Sequence, residues 1–274
     1  MTDNIKAAVT PPHHSPNRIV ITIDNANFSD STLEYAVNIA ARLQRQLHGV
    51  FIEDIDLLSS ARLPFATEIC MHTGQPRHFD HRRLQLSFNN AAARFQEKLA
   101  LLANQQSVHW TARSVRGRRR DFYSADLNNT DYCIYESGNN HKAAANPSAI
   151  KHLLVIDGED EKFYRTLASL LGPLQQYELH ITQIKNDSVE QPASNNNDNV
   201  SANNSANNAP PQAANYQQLL PVGVHLQRLP LTQLQRLLSS GAASFDYVIA
   251  SRQHWPIAMA PLLGRLRCPL ILVN

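Results

Sequence analysis

The sequence has no long apolar run. Its longest ones lie around residues 19–23 and 153–156, whereas a membrane-spanning helix needs roughly 20 consecutive apolar residues. Residues 1–17 are polar and lack the basic and then apolar layout of a secretory signal. We therefore expect no membrane segment and no export, and we predict a cytoplasmic protein with a short disordered tail over residues 1–17.

Cysteine and net charge are scarce too. The three cysteines, Cys70, Cys133 and Cys268, show no CxxC spacing of the kind used by zinc ribbons and redox pairs, so we expect free thiols. The formal net charge is +2 over 274 residues, which gives the whole molecule no strong attraction to nucleic acid or acidic membranes. A nucleic-acid partner is therefore not expected without a local basic patch.

Familiar catalytic patterns are missing as well, since the sequence has no nucleophile elbow, no cysteine with a nearby base and no metalloprotease helix. Cys70, His72, His78 and His81 are residue types that bind zinc, but their spacing fits no standard zinc pattern. We expect a polar surface loop at this point. The sequence therefore predicts neither a metal site nor enzymatic activity.

What the sequence does contain is an alternation of strand and helix patterns. Residues 18–24 form an apolar, β-branched run typical of a central parallel strand. The next helix is predicted from the capping-box spacing of Ser31 and Glu34 and from apolar residues at helical intervals. A second strand follows at residues 47–52. This β-α-β order favours parallel strands joined by a right-handed crossover.

The first half continues with a connection over residues 53–82 and an amphipathic helix over residues 84–102. Two more strands are predicted at residues 107–115 and 131–135. The second half repeats this order, because a strand at 152–157 ends in Asp like the first strand and leads to a helix and a strand at 178–184. The later predicted elements are strands at 222–229, 245–250 and 268–273 and a helix after Pro230.

These patterns predict an α/β protein with two tandem Rossmann-like, parallel-sheet domains that carry helices on both faces. We place the domains at residues 18–147 and 148–274. The second has a disordered insert at about 186–215, where Asn-rich sequence offers little apolar surface. Residues 138–150 are too few for both a helix and a fifth strand, so either the first copy lacks its last strand or the strand at His152 serves it. We favour the former.

Several of these features resemble the universal stress protein family. They are the first strand ending in Asp24, the small residue Gly49 before Val50, the Asp-hydrophobic strands at 131–135 and 246–250, and the Cys268-Pro-Leu-Ile-Leu-Val ending. The resemblance implies that the two copies pack as an intramolecular pseudo-dimer and leaves a homo-oligomer open. We expect the apolar last strand to lie at a sheet edge, where it can pair with a neighbour. The residues around Gly49 and Trp110 also resemble those of a bacterial branch of the family.

Family members that bind ATP carry Gly, two residues, Gly, nine residues and then Gly-Ser or Gly-Thr after the fourth strand. Here Glu136 and Asn139 take the first two glycine positions in one copy, and Ser251 and His254 take them in the other. Backbone amides must approach phosphates closely, and a carboxylate repels phosphate. The resemblance places Asp24, Val50 and Asp157 against adenosine, while an Asp at a strand end is equally explained as the cap of the next turn.

One basic cluster stands out, at residues 113–121. We place it at a strand-to-helix turn, where helix amides favour anions. Two interpretations stay open: a solvated or internally paired turn, or an anion contact made by Arg116, Arg118, Arg119 and Arg120. Taken together, the sequence patterns and the family resemblance favour a non-enzymatic stress-response or regulatory protein. We expect it to act through protein contacts and to have lost ATP as a cofactor. The alternative is an adenine-nucleotide sensor with a non-standard phosphate loop.

Overall fold

The computed structural model describes residues 18–24, 28–70, 72–118, 132–136, 152–156, 161–171, 178–185, 224–240, 245–252, 255, 266 and 268–273. These ranges contain both strands and helices. The elements are β1 Arg18–Ile23, α1 Asp30–Arg42, β2 Gln46–Asp54, α2 Ile55–Ser60, β3 Thr67–Ile69, β4 Pro76–His78, α3 His81–Gln105, β5 Trp110–Gly117, β6 Tyr132–Glu136, β7 His152–Ile156, α4 Glu161–Leu171, β8 Glu178–Lys185, β9 Val224–Pro230, α5 Leu231–Ser240, β10 Tyr247–Ser251 and β11 Leu270–Val273.

Nine of the strands form one continuous sheet in the order β5-β2-β1-β6-β11-β10-β7-β8-β9. The four strands of the first half are parallel to one another, and so are the five of the second half. The two sets meet where β6 pairs with β11 in the antiparallel direction. The first-half strands therefore end on one side of the sheet, and the second-half strands end on the opposite side.

The first half contributes its strands in the order β5-β2-β1-β6, and the second half contributes its strands in the order β9-β8-β7-β10-β11. Among the strands of this sheet, each half thus has the order third, second, first, fourth, and the second half adds β11 as a fifth strand. The same strand order therefore occurs in both halves of the sheet, while a tandem repeat of two domains stays a prediction. The Rossmann-like α/β fold is thereby confirmed, while the domain bounds at 18–147 and 148–274 stay predictions.

The inner strands β1, β6, β7, β10 and β11 are buried on both faces, as their apolar runs require. Ile19, Ile21 and Ile23 of β1 belong to an apolar cluster that includes residues of α1, α3 and α4, whereas Val20 belongs to a second cluster with residues of α5. Helices thus cover both faces, as predicted. No helix in the described ranges is long and apolar enough to cross a membrane.

Two expectations about strand placement can now be decided. β7, the strand at His152, pairs with β8 and β10 and so serves the second half. The expectation that the last strand lies at a sheet edge is wrong, because β11 lies between β10 and β6. All four residues of Leu270–Val273 are buried, and an apolar strand of this kind is stabilised by a central position more than by an exposed edge.

Local boundaries also differ from the sequence patterns. The connection over 53–82 contains α2 and the antiparallel hairpin of β3 and β4, whose short strands carry no clear alternation of apolar residues. The Ser31–Glu34 capping box is wrong, because α1 begins at Asp30 with Ser29 as its N-cap. The predicted tail over 1–17 and the insert at 186–215 lie outside the described residues.

Gly49 explains the small residue in the second strand. A Cβ atom added at Gly49 would lie 2.7 Å from both Leu99 Cδ2 and Phe95 Cζ. These two side chains belong to α3 and are almost fully buried. α3 therefore packs closely on β2, and a side chain at this position would fit only if Leu99 and Phe95 moved.

Candidate functional site

A cluster of buried polar side chains lies where β1 and β6 end, and we call it the polar cluster. Its members are Asp24, Ser31, Thr32 and Glu136, each at most 7% exposed. β1 and β6 are parallel neighbours with Ile23 opposite Glu136, so their carboxyl ends meet, and α1 begins only a few residues after β1. Ligands of parallel α/β sheets bind at such carboxyl ends, which makes the polar cluster the candidate site.

Glu136 is the central member of the polar cluster. Its Oε1 atom accepts a hydrogen bond from the backbone N–H of Ser29, the N-cap residue of α1. The first amides of a helix have no partner within the helix and favour negative charge. The side chain of Glu136 therefore holds the position that an anion would take at this helix terminus.

The surroundings of Glu136 disfavour its ionised form. Burial raises the pKa of Glu136 to about 7, and this effect outweighs the hydrogen bond from Ser29 and the contribution of Thr32, which lower it. The negative charges of Asp24 and Asp30 raise the pKa further. Its Oε2 atom has no hydrogen-bond partner in the described part of the chain. A group of this kind exchanges its proton near neutral pH.

The second half of the chain also reaches this site. Tyr247, the first residue of β10, is buried, and its ring lies 4.6 Å from the ring of Tyr35 in α1, measured between centroids. Burial raises the pKa of Tyr247 well above its ordinary value, and the neighbouring Tyr35, Glu136 and Asp246 raise it further. Tyr247 can approach Glu136 because the antiparallel β6–β11 pairing brings the amino end of β10 to the carboxyl end of β6.

The residues predicted to contact adenosine are distributed unevenly. Asp24 lies in the polar cluster and acts on Glu136 through its charge. Val50 lies beside Thr22 in the strand register and is packed in the apolar cluster with Val20 and Ile52. Asp157 lies outside the described residues, as do Asn139 and His254.

The basic cluster is placed differently from the prediction. Arg113 and Arg116 lie within the edge strand β5 and not at a turn, because the strand continues to Gly117. Arg116 donates to Glu53 Oε2 from Nε at 3.1 Å and from Nη2 at 2.9 Å. Arg118 Nε donates to Asp56 Oδ1 at 3.0 Å. These two guanidinium groups are thus ion-paired within the chain, and Arg119 and Arg120 lie outside the described residues.

A cavity of about 320 Å³ lies between α3 and the edge strand β5. Its apolar wall includes Phe51 and Phe95, and its polar rim includes Glu53 and Arg113. No member of the polar cluster lines this cavity. It therefore forms a separate concavity on the first half of the sheet.

The zinc-type residues lie in and around the β3–β4 hairpin. Cys70 follows β3, His78 ends β4 and His81 begins α3. In the ranges that the structure describes, no group of three or more His, Cys, Asp or Glu side chains is arranged to hold a metal ion. All three cysteines are free thiols, as predicted.

The sequence pointed to Glu136 only as a carboxylate in a glycine position. It missed the contact with Ser29 and the participation of Tyr247. The only available signal was the repeated Asp-Tyr pair, at 131–132 and 246–247, which precedes both late strands. That pair becomes informative only when the direction of the second half is known.

Comparison with known proteins gives a likeness in fold. No protein-family model matches the sequence, and no curated protein matches it. The crystal structure of a universal stress protein from Archaeoglobus fulgidus is similar at a TM-score of 0.50 and 10% identity, over 96% of this chain and 97% of that chain. A functionally unknown protein from Pseudomonas aeruginosa aligns at a TM-score of 0.41 and 11% identity, over 95% of this chain and 93% of that one. The chain therefore has a fold similar to that of a universal stress protein.

Proposed function

We propose that this chain is a non-enzymatic, stress-associated regulatory protein that acts through protein contacts and does not bind ATP where β1 and β6 end. The observation that carries the proposal is the Glu136 carboxyl group, which accepts the backbone N–H of Ser29 at the start of α1. In a phosphate-binding site, this donor would be available to the ligand. Here the chain supplies the acceptor itself.

Electrostatics support the same conclusion. A phosphate placed at the start of α1 would lie close to Glu136 and to the acidic side chains Asp24 and Asp30 that surround it. Negative charges at such distances repel strongly where water is excluded. A nucleotide would have to displace the Glu136 side chain and tolerate its neighbours, so binding of ATP in the usual family manner is disfavoured.

Support for a protein partner comes from the segment between β2 and α3. Several of its apolar side chains are open to solvent, including Leu63 at 44%, Phe65 at 77% and Ile69 at 70% exposure. We call residues 55–69 the excursion. Apolar groups grouped in this way on a surface are typical of sites that contact another macromolecule.

The antiparallel β6–β11 pairing supports the pseudo-dimer part of the proposal. This pairing makes one sheet of the two halves. In the proposed arrangement, the covalent link between the halves replaces association of two separate chains. The N-terminal tail and the Asn-rich insert have no assigned role in it.

The alternative function is an adenine-nucleotide sensor with an unusual phosphate loop. The buried Asp24 at the carboxyl end of β1 favours it, because this is where the resemblance places the adenosine contact. Val50, Asp157 or the arginines at 116–120 would then complete the site. Of these arginines, Arg116 and Arg118 already pair with Glu53 and Asp56, which weighs against this alternative.

A nucleotide titration distinguishes the two functions. The thermal stability of the purified chain should not change with ATP, ADP or AMP, whereas a ligand present at 100 times its dissociation constant adds about 2.7 kcal/mol. Glu136→Gly frees the Ser29 amide and removes the carboxylate. Any stabilisation by a nucleotide should therefore appear first in this variant. Ser251→Gly, the matching change at the end of β10, is the control. A clear shift of the unmodified protein with any of the three nucleotides would contradict the proposal.

A further inference from the structure

Glu136 occupies a junction between the two halves of the molecule. It ends β6, the first-half strand that pairs with β11 of the second half. On one side it meets the start of α1 through Ser29. On the other side it lies close enough to Tyr247 of β10 for its charge to raise the pKa of that phenol. A change in the charge of Glu136 therefore acts on both halves at once.

The groups that face Glu136 come from each neighbouring element. Asp24, just after β1, and Asp30 and Thr32 of α1 act on Glu136. Glu136 in turn acts on Tyr247 at the start of β10, and Tyr35 of α1 and Asp246 act on Tyr247 as well. Asp30 is ion-paired with Lys98 of α3, and the Asp246 carboxylate accepts the backbone N–H of His152 at 3.0 Å. Two further carboxyl groups, Asp24 and Asp30, thus act on Glu136 directly, and a third, Asp246, acts on its neighbour Tyr247. Within the described ranges, no cation forms a salt bridge with Glu136.

Ionisation of Glu136 is unfavourable in this setting for two reasons. The side chain is only 3% exposed, so its charge is deprived of water. Its Oε2 atom also makes no hydrogen bond of ordinary geometry in the part of the chain that the structure describes, and the nearby Thr32 hydroxyl offsets only part of the cost of burial. A neutral carboxylic acid avoids both costs and can additionally donate a hydrogen bond.

We propose that Glu136 is a proton-sensitive switch at the junction of the two halves. When it is protonated, the start of α1, the end of β6 and the start of β10 pack closely. When it is ionised, repulsion and the demand for hydration loosen this contact. The inference concerns the unliganded protein, so it stands independently of the proposed function.

The direction of the pH effect follows from the two pKa values. The pKa of Glu136 is about 7 in the folded chain, against an ordinary 4.5. The folded state therefore holds this proton up to a higher pH than the unfolded state does. Its contribution to stability is complete below pH 4.5 and is lost as the pH rises through about 7. The transition falls in the range where intracellular pH varies.

Equilibrium unfolding between pH 4.5 and pH 8 tests the switch. Glu136→Gln keeps the acceptor for Ser29 but cannot ionise. Relative to this variant, the unfolding constant of the unmodified protein should rise roughly 100-fold over that range. Glu53→Gln is the control, because Glu53 is a partly buried carboxylate that is paired with Arg116 and lies away from the junction. It should retain the pH dependence of the unmodified protein.

Two further measurements use the native fold. Infrared difference spectra of the unmodified protein should show the carbonyl band of a protonated carboxylic acid that disappears with a midpoint near pH 7 and is missing in Glu136→Gln. At pH 8, amides of β6 and β11 should exchange roughly tenfold faster in the unmodified protein than in this variant. If the variant fails to fold, the infrared titration of the unmodified protein still shows whether a buried carboxylic acid loses its proton near pH 7. Absence of that band, or identical pH dependence in both proteins, would overturn the proposal.

Discussion

The ring of Tyr35 lies 4.6 Å from the ring of Tyr247, at an interplanar angle of 37°. Tyr35 belongs to α1 of the first half and Tyr247 to β10 of the second, and each is only 2% exposed. A second link joins α1 to α4, where Arg42 Nη2 donates to the Ser169 carbonyl oxygen at 2.8 Å. α1 therefore contacts the second half at two points outside the sheet.

Removing the Tyr35 ring should weaken this contact. Tyr35→Ala deletes a buried aromatic side chain, and we expect the free energy of unfolding to fall by about 3–5 kcal/mol. Tyr35→Phe keeps the ring and its packing and should therefore cost less than about 1 kcal/mol. Urea unfolding measures both variants. Equal losses in the two would show that the hydroxyl group, and not the ring packing, supports the contact.

Gly49→Ala should destabilise the first half. The added methyl group would lie 2.7 Å from side-chain carbons of Phe95 and Leu99, so α3 must shift or change rotamers at a cost of about 1–3 kcal/mol. Thermal or urea unfolding gives the loss. In the double variant with Leu99→Ala, the shortened side chain makes room, and the combined loss should be smaller than the sum of the single losses. Strict additivity would contradict the steric explanation.

The cysteines should react at very different rates. Hydrogen bonds from the Thr73 side chain and from the backbone amides of Thr73 and His72 lower the pKa of Cys70 to about 7, whereas burial raises the pKa of Cys268 to about 12. The thiolate is the reactive form, so iodoacetamide at pH 7.5 should modify Cys70 first and Cys268 only after unfolding. Mass spectrometry of digested protein gives the order. Thr73→Val should slow the reaction of Cys70, and labelling of Cys268 at a similar rate in the native protein would contradict the prediction.

The exposed excursion should matter for contacts and not for folding. Phe65→Ser combined with Ile69→Ser should change the unfolding free energy by less than about 0.5 kcal/mol, since both side chains are largely open to solvent. Proteins that can be cross-linked to the unmodified chain should no longer be cross-linked to this double variant. Leu101→Ser is the matched control, because Leu101 is 59% exposed but lies on α3. Loss of the same partners in the control would argue against the excursion as the surface that contacts them.

Much of the fold could be predicted from the sequence because its strands are buried on both faces. β1 and β7 appear as plain apolar runs, and their observed bounds, Arg18–Ile23 and His152–Ile156, lie within one residue of the patterns. The β3–β4 hairpin was missed because its strands have three residues each and expose most of their side chains. Short exposed strands leave no periodic signal in a sequence.

The candidate site was predictable only in part. Asp24 was predicted because it ends a recognisable strand pattern, whereas Glu136 was noted only as a carboxylate in a glycine position. The approach of Tyr247 depends on the antiparallel pairing of β6 with β11, which joins residues more than a hundred positions apart. Sequence periodicity describes single elements and contains no information on such long-range pairing. The position of β11 was therefore assigned wrongly while its existence was predicted correctly.

The central place of β11 constrains how the protein is made. β11 follows every other strand of the sheet in the chain, yet it separates β6 from β10. β6 ends at Glu136 and β11 begins only at Leu270, so the edge of β6 that β11 covers stays unpaired while the second half is synthesised. During that interval the unpaired edge of β6 is exposed to mispairing and to chaperones.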